Sequence, residues 1–279
     1  MKNALTIDVE EYFQVHALSN VIKVQDWDQF TSGIESNTAI ILELLNQNNT
    51  KATFFCLGWI AQRHRSLIRC ISENGHEVAS HGYSHQVIYS QTPEAFRDDV
   101  SKSKKIIEDI IGRPVLGYRA PTYSITEKTL WALDILEELG FAYDSSIFPV
   151  HHDNYGIPSA PRFPYHIEGR NLTEFPISTL RIGKFNFPIA GGGYFRLFPY
   201  MLTKLGLKAV EREAKPFIFY LHPWEFNPDT PRVGGLSALS RFRTYVNLSE
   251  TRDRFKRLIS DFNFATAASV LKESGFIKE

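Results

Sequence analysis

The sequence predicts a parallel α/β architecture, a sheet or barrel of βα units. Three observations carry that expectation. Short segments rich in Ile, Val, Phe and Thr alternate with longer segments whose apolar residues recur at helical spacing. The longer segments are bounded by helix signals, such as Pro93 in a first turn and Gly75 and Gly112 just past an end. The length, 279 residues with 43% hydrophobic and 22% charged, suits one large barrel-type domain with a core that needs no staples.

The elements follow in order. "NALTIDVE" reads as a strand, and "SNTAIILELLNQNN" as a helix with Ser36 or Asn37 as its cap. "KATFFCLG" is a strand, "WIAQRHRSLIRCISENG" one helix, and "HEVAS" a short strand. "PEAFRDDVSKSKKIIEDIIG" is a helix, "PVLGYRA" a strand, "TEKTLWALDILEELG" a helix and "FAYDSS" a strand. From about residue 145 to 215 the alternation gives way to Pro- and Gly-rich segments, including "GIPSAPRFP" and "AGGGYFRLFP". "KPFIFYLH" restores a strong strand, and "TRDRFKRLISDF" reads as a late amphipathic helix.

Composition excludes several function classes. Lys plus Arg equals Asp plus Glu, so nothing in the overall balance points to nucleic acid or an anionic membrane surface. Cys56 and Cys70 are too few for a disulfide framework, and Cys56 in "ATFFCLG" reads as a buried thiol. No window reaches the length of a membrane-spanning helix, and the N-terminus meets Asp8 and Glu10 too early for a secretory leader. A cytoplasmic chain is expected on that ground.

Four strand ends carry polar residues foreign to a core. In "TIDVEE", Asp8 and Glu10 stand two apart and share a strand face, where they repel unless a cation or proton lies between them. In "VASHGYSH", His81 and His85 are four apart and can converge on one metal ion. In "GYRAPTYS", Pro121 biases Ala120 toward an extended backbone, so Arg119 is presented from a constrained segment. In "FIFYLHPWEF", His222 ends an apolar run, a position suited to acid–base work. A carboxylate with two histidines is a common catalytic metal set with one position open to water.

These segments, with "ATFFCLGWIA" and "YDSSIFP", occur in the order found in polysaccharide deacetylases with the NodB homology domain (carbohydrate esterase family 4), which the chain resembles over roughly residues 3–225. "AGGGYFRLFPY", "FYLHPWEFNPDTPR" and "RFRTYVNL" are similar to the subgroup encoded with exosortase and exopolysaccharide gene clusters. The resemblance implies a distorted (β/α) barrel of the NodB type over residues 1–225, with residues 226–279 as a C-terminal extension packed on the same domain. It implies Asp8 as catalytic base, Arg119 as the partner of that base, and His81 and His85 as metal ligands. It further implies the backbone N–H of Tyr123 as an oxyanion donor, Asp144 as the aspartate that orients the acid histidine, and His222 as general acid.

Many family members carry two adjacent aspartates where this chain has Asp8-Val9-Glu10. Valine cannot bind a metal, so Glu10 is the expected third ligand and Glu11 its competitor, although strand alternation points Glu11 away.

The expected function is a metal-dependent hydrolase, most simply with Zn²⁺, that removes N-acetyl groups from amino sugars of a polysaccharide or its precursor and releases acetate. Its partner is then an N-acetylated glycan, not nucleic acid. Tyr123, Tyr194, Phe195 and Trp224 are the aromatic candidates for sugar contact, and Arg196 and Arg232 the candidates for an acidic sugar. The rival readings are a metal-independent amidohydrolase of the allantoinase-like branch and a catalytically inactive carbohydrate-binding protein.

Overall fold

A computed structural model describes residues 1–152 and 155–278. The chain runs β1 (Asn3–Val9), α1 (Ile34–Gln47), β2 (Thr53–Cys56), α2 (Gly58–Arg63), α3 (Arg65–Glu73), β3 (Glu77–Ser80), α4 (Pro93–Ile111), β4 (Gly117–Tyr118), α5 (Trp131–Glu138) and β5 (Tyr143–Asp144). It continues through β6 (Tyr165–His166), β7 (Thr173–Glu174), β8 (Thr179–Ile182), β9 (Phe185–Pro188), α6 (Gly192–Leu197) and α7 (Tyr200–Glu211). It ends with β10 (Ile218–Leu221), α8 (Ala238–Tyr245), α9 (Thr251–Asp261), β11 (Phe264–Ala265) and α10 (Ala267–Glu273).

The main sheet has the order β10-β1-β2-β3-β4-β5-β7-β6, and β11 also pairs with β1. Every pairing in it is parallel except β6 with β7. Among the described residues β6 does not pair back to β10, so the barrel stays open on that side. Every residue of β1 is buried, as a parallel strand covered on both faces requires. Phe54 and Phe55 point to opposite faces of β2 and are both fully buried, each contributing about 2–3 kcal/mol of apolar burial. Strand order matters for function: β10, last of the long parallel strands in the chain, lies directly beside β1 with Leu221 opposite Ile7. Residues that follow β1 and β10 therefore meet.

Local signals placed most elements. Thr92 accepts the Ala95 amide at 3.2 Å, Pro93 opens α4, and Gly112 closes it at φ +68°. Two expectations are corrected. The single helix over residues 59–75 is two, broken at His64, whose backbone (φ −118°, ψ 53°) leaves the helix and sets its Nδ1 2.9 Å from Glu35 Oε1. Helix α1 starts at Ile34, not at Ser36 or Asn37, because a distant side chain supplies its cap. Oε1 of Glu11 accepts the amides of Gly33 at 2.7 Å and Ile34 at 2.9 Å and the Ser32 hydroxyl at 2.6 Å. The irregular stretch after residue 145 contains a separate antiparallel hairpin, β8–β9, packed on α7. The C-terminal residues join the main sheet through β11.

Candidate active site

Asp8 and Glu10 stand at and just beyond the end of β1, both buried. The guanidinium of Arg119, fully buried, donates from Nη1 to Asp8 Oδ1 at 2.6 Å and to Thr6 Oγ1 at 2.8 Å. Its Nη2 donates to Ser145 Oγ at 3.0 Å and its Nε to the Ser145 carbonyl at 3.2 Å, while the plane lies over the Phe55 ring. A fixed cation with each of its three nitrogens engaged is thus paired to one oxygen of Asp8, and the other oxygen faces the cavity. Ala120 is extended (φ −72°, ψ 138°), as the following proline demands.

His81 follows β3 and places Nδ1 2.8 Å from the Arg119 carbonyl. A carbonyl only accepts, so Nδ1 carries the proton and the lone pair of Nε2 is left for the cavity. Burial pushes the imidazole down to about 3, so it is neutral, the form a metal ligand needs. His85 is reached across a tight turn, not along a helix. Gly82 (φ +74°) and His85 itself (φ +52°) take left-handed backbone there. Asp99 on α4 pins this turn by accepting the amides of Tyr83 at 2.7 Å and Ser84 at 3.0 Å. A Cβ at position 82 would sit 2.9 Å from Asp99 Oδ1.

Glu10 Oε2 lies 2.6 Å from His85 Nε2 and 3.9 Å from His81 Nε2. Burial pushes this carboxyl up, but the facing His85 and His222 outweigh it and hold it below the ordinary range. One ligand atom from each of Glu10, His81 and His85 falls within 4.8 Å of the other two. Glu10 Oε2 and His85 Nδ1 are buried and receive no well-directed hydrogen bond. A buried carboxylate oxygen without a donor is costly unless a cation completes it, so the residues present fit a divalent ion. Glu11, the competitor, is spent on capping α1.

His222 follows β10, and its Nε2 faces Glu10 Oε1 at 3.6 Å and Asp8 Oδ2 at 4.0 Å. Its Nδ1 is 2.6 Å from Oε1 of Glu225, three residues on. Arg196 Nε stands 3.4 Å from the other oxygen of that carboxylate. Burial alone would lower the His222 imidazole, but Glu10, Glu225 and Asp8 raise it to about 9, so it is protonated at neutral pH.

Three expectations fail here. Asp144 does not orient His222: it sits in β5, accepts the Ser146 hydroxyl, and faces Glu174 across the β5–β7 ladder. Burial raises Asp144 to about 6 and raises Glu174 well above the usual range, because two buried carboxyls side by side cannot both ionise. The orienting group is Glu225, visible in "HPWEF" as a carboxylate one short turn from the histidine. The Tyr123 amide donates to the Ala120 carbonyl at 3.1 Å, so in this geometry it is not aimed at an oxyanion. Tyr194 does not line the cavity; its ring stands in an apolar groove outside it.

The cavity holds about 390 Å³ and unites Asp8, Glu10, His81, His85 and His222 with Tyr123 and Trp224. Trp224 stacks on the His222 ring at 5.8 Å between centroids. His16, Tyr155 and Arg243, which nothing in the motifs marked, also line it. Phe195 belongs to the core, Arg232 lies over the Tyr245 ring, and Arg196 is buried against the carbonyls of Arg243, Thr244 and Val246.

The chain is similar to known proteins over parts of its length. Residues 27–143 match the polysaccharide deacetylase family model, and residues 145–272 match a domain of unknown function (DUF3473). The first match contains His81, His85, Arg119 and Tyr123, and the second contains His222 and Glu225. The chain is 32% identical over 113 residues to the peptidoglycan deacetylase of Helicobacter pylori, covering 40% of this chain and 37% of that protein. It is 33% identical over 98 residues to a peptidoglycan-N-acetylglucosamine deacetylase of Bacillus cereus, covering 35% and 36%. The similarity thus spans little more than a third of either relative. A crystal structure of a probable polysaccharide deacetylase from Pseudomonas aeruginosa superposes with a TM-score of 0.63 at 16% identity, covering 99% of this chain and 92% of that one, which shows a shared fold. With the motif order, the open parallel barrel and the family match in agreement, residues 27–143 carry a polysaccharide deacetylase domain on a fold shared with that solved structure.

Proposed function

We propose that the cavity hydrolyses the N-acetyl amide of an amino sugar within a glycan, releasing acetate and a free amine. The observation that supports it most is the convergence of an Arg-paired carboxylate, a His/His/carboxylate donor triangle and a raised histidine on one small space. A divalent ion held by Glu10, His81 and His85, with Zn²⁺ the best match to that donor set, would supply Lewis-acid polarisation and acidify water.

The chain's own groups do the rest. Asp8, fixed through Oδ1 by Arg119, takes the proton from water through Oδ2 as the C–O bond forms. His222, held by Glu225 and raised so that it keeps its proton at neutral pH, gives that proton to the amide nitrogen as the C–N bond breaks. An amide nitrogen leaves poorly until protonated, so this second transfer is needed. Trp224 and Tyr123 offer apolar ring faces to the sugar.

N-acetylglucosamine glycans are the first substrates to try, because the relatives' names point to peptidoglycan; exopolysaccharide oligomers are the second. The test measures acetate release from both panels by protein loaded with zinc, stripped by chelator, and reloaded. Release that disappears on stripping and returns with metal is expected. Release indifferent to chelator would move the reading to a metal-independent amidohydrolase, and glycan binding without acetate to a binding protein.

A further inference from the structure

We propose that the β8–β9 hairpin and α7 form a docking surface for an anionic phospholipid bilayer. Large apolar side chains are exposed there in unusual density: Ile182, Phe185 and Phe187 on the hairpin, and Met201, Leu202 and Leu205 on α7, with Phe185 62% and Leu205 60% exposed. Between hairpin and helix, Ile182, Phe187, Leu202 and Leu205 frame an apolar groove of about 470 Å³. A contiguous apolar patch of this kind marks an interaction site.

Charge selects the occupant. No Asp or Glu occurs between Glu174 and Glu211, in a chain whose acidic and basic residues balance overall. Lys204 and Lys208 are neutralised from outside that stretch by Asp261 and Glu211, and Arg196 is buried. Arg181 and Lys184, flanking the exposed Ile182 and Phe185 at the hairpin turn, have no carboxylate partner among the described residues. Aromatic and aliphatic tips edged by uncompensated cations match the acyl–headgroup boundary of an anionic leaflet, where rings insert and Lys and Arg reach phosphate. A second copy of the chain fits less well, since a self-complementary contact brings two acid-free basic surfaces together. Helix α6 joins this face to the cavity: Gly192, Gly193 and Arg196 line the cavity, while Tyr194 stands in the groove. A docked chain therefore holds its cavity close to the bilayer.

The test is co-sedimentation with vesicles of phosphatidylcholine alone and of phosphatidylcholine with phosphatidylglycerol. Binding to the second alone, weakened by salt, is expected. The double variant R181E/K184E should lose about thirtyfold or more in partition coefficient, at the usual contribution of one basic residue near an anionic surface. The double variant F185S/F187S should lose binding as well while its thermal melt is unchanged, since the Phe185 ring is mostly in solvent. No binding to the anionic vesicles at low salt, or variants that bind like the parent, would overturn the proposal. So would a concentration-dependent dimer in sedimentation velocity that F185S/F187S abolishes, with no vesicle binding; that outcome assigns the face to a second copy. The readout needs no turnover, so it stands or fails separately from the deacetylase reading.

Discussion

The chain buries two pairs of carboxyl groups and compensates them in opposite ways. Asp8 and Glu10 are set against basic side chains: Arg119 on one, His85 and His222 around the other. Asp144 and Glu174 are set against each other, with serine hydroxyl and backbone donors, and burial keeps a proton between them. The first pair is gripped by basic side chains and still turns Asp8 Oδ2 and Glu10 Oε1 toward His222. The second shares a proton and so clamps β5 to β7 with one negative charge in place of two. A buried acid is therefore not a functional residue by burial alone; the sign of what faces it decides.

The largest expected effect tests the first pair through its histidine. His222→Ala should lower kcat by about 10²–10⁴-fold, the range for loss of a general acid, and leave the metal content of the protein unchanged by elemental analysis. Loss of metal in that variant would make His222 a ligand and leave the acid unassigned.

Next in size is the residue that took the place of Asp144. Glu225→Gln should cost roughly 10- to 100-fold in kcat with little change in KM, as for other orienting partners. The sign of the accompanying pH effect is fixed. His222 works protonated and is raised to about 9 against burial by Glu10, Glu225 and Asp8, so removing one anion moves the alkaline limb of the rate profile to lower pH. Asp144→Asn should leave that limb where it is. If Asp144→Asn moves it and Glu225→Gln does not, the two carboxylates have been assigned the wrong way round.

The second pair is tested by stability. Asp144, raised to about 6 from 3.8, holds a proton in the folded chain that the unfolded chain has released. Stability from this pair is therefore complete below about pH 4 and is lost as pH rises through about 6. Glu174→Gln keeps an oxygen for the Ile147 amide and removes one carboxyl, so the loss should flatten. The variant should exceed the parent by on the order of 1–2 kcal/mol at slightly alkaline pH. Urea melts across this range check it; an unchanged slope would mean the pair shares no proton.

The smallest effect separates Glu10 from its neighbour. Glu11→Ala should lower stability by about 1–2 kcal/mol through the lost cap on α1, and should still bind metal. Calorimetric titration with zinc distinguishes the two; a lost site would return Glu11 to the ligand set.

How much of this was legible depended on distance along the chain. The strands and α4 were readable because Ile7, Phe54 and Phe219 on their strands, and Thr92 and Gly112 at the helix ends, act on their immediate neighbours. Asp8, Glu10, His81, His85, Arg119 and His222 were readable because each is a polar residue at the end of an apolar run, and β1 with its neighbours brings such ends together. What stayed hidden was carried by contacts between distant segments. Glu11 caps a helix more than twenty residues on, Asp99 on α4 clamps the histidine turn, and Arg196 backs Glu225. The acid-free face escaped notice for a different reason: a chain that is neutral as a whole can still be strongly uneven.

Arg119 serves two masters with two different parts of itself. Its guanidinium grips Asp8, while its main-chain oxygen steers His81. Any substitution strips away the first and spares the second, so base and ligand are separable by a single codon. On the proposed function, Arg119→Gln is expected to keep ion and glycan bound while acetate release collapses, which would make position 119 the place to build a substrate trap for fishing a polymer out of a cell extract.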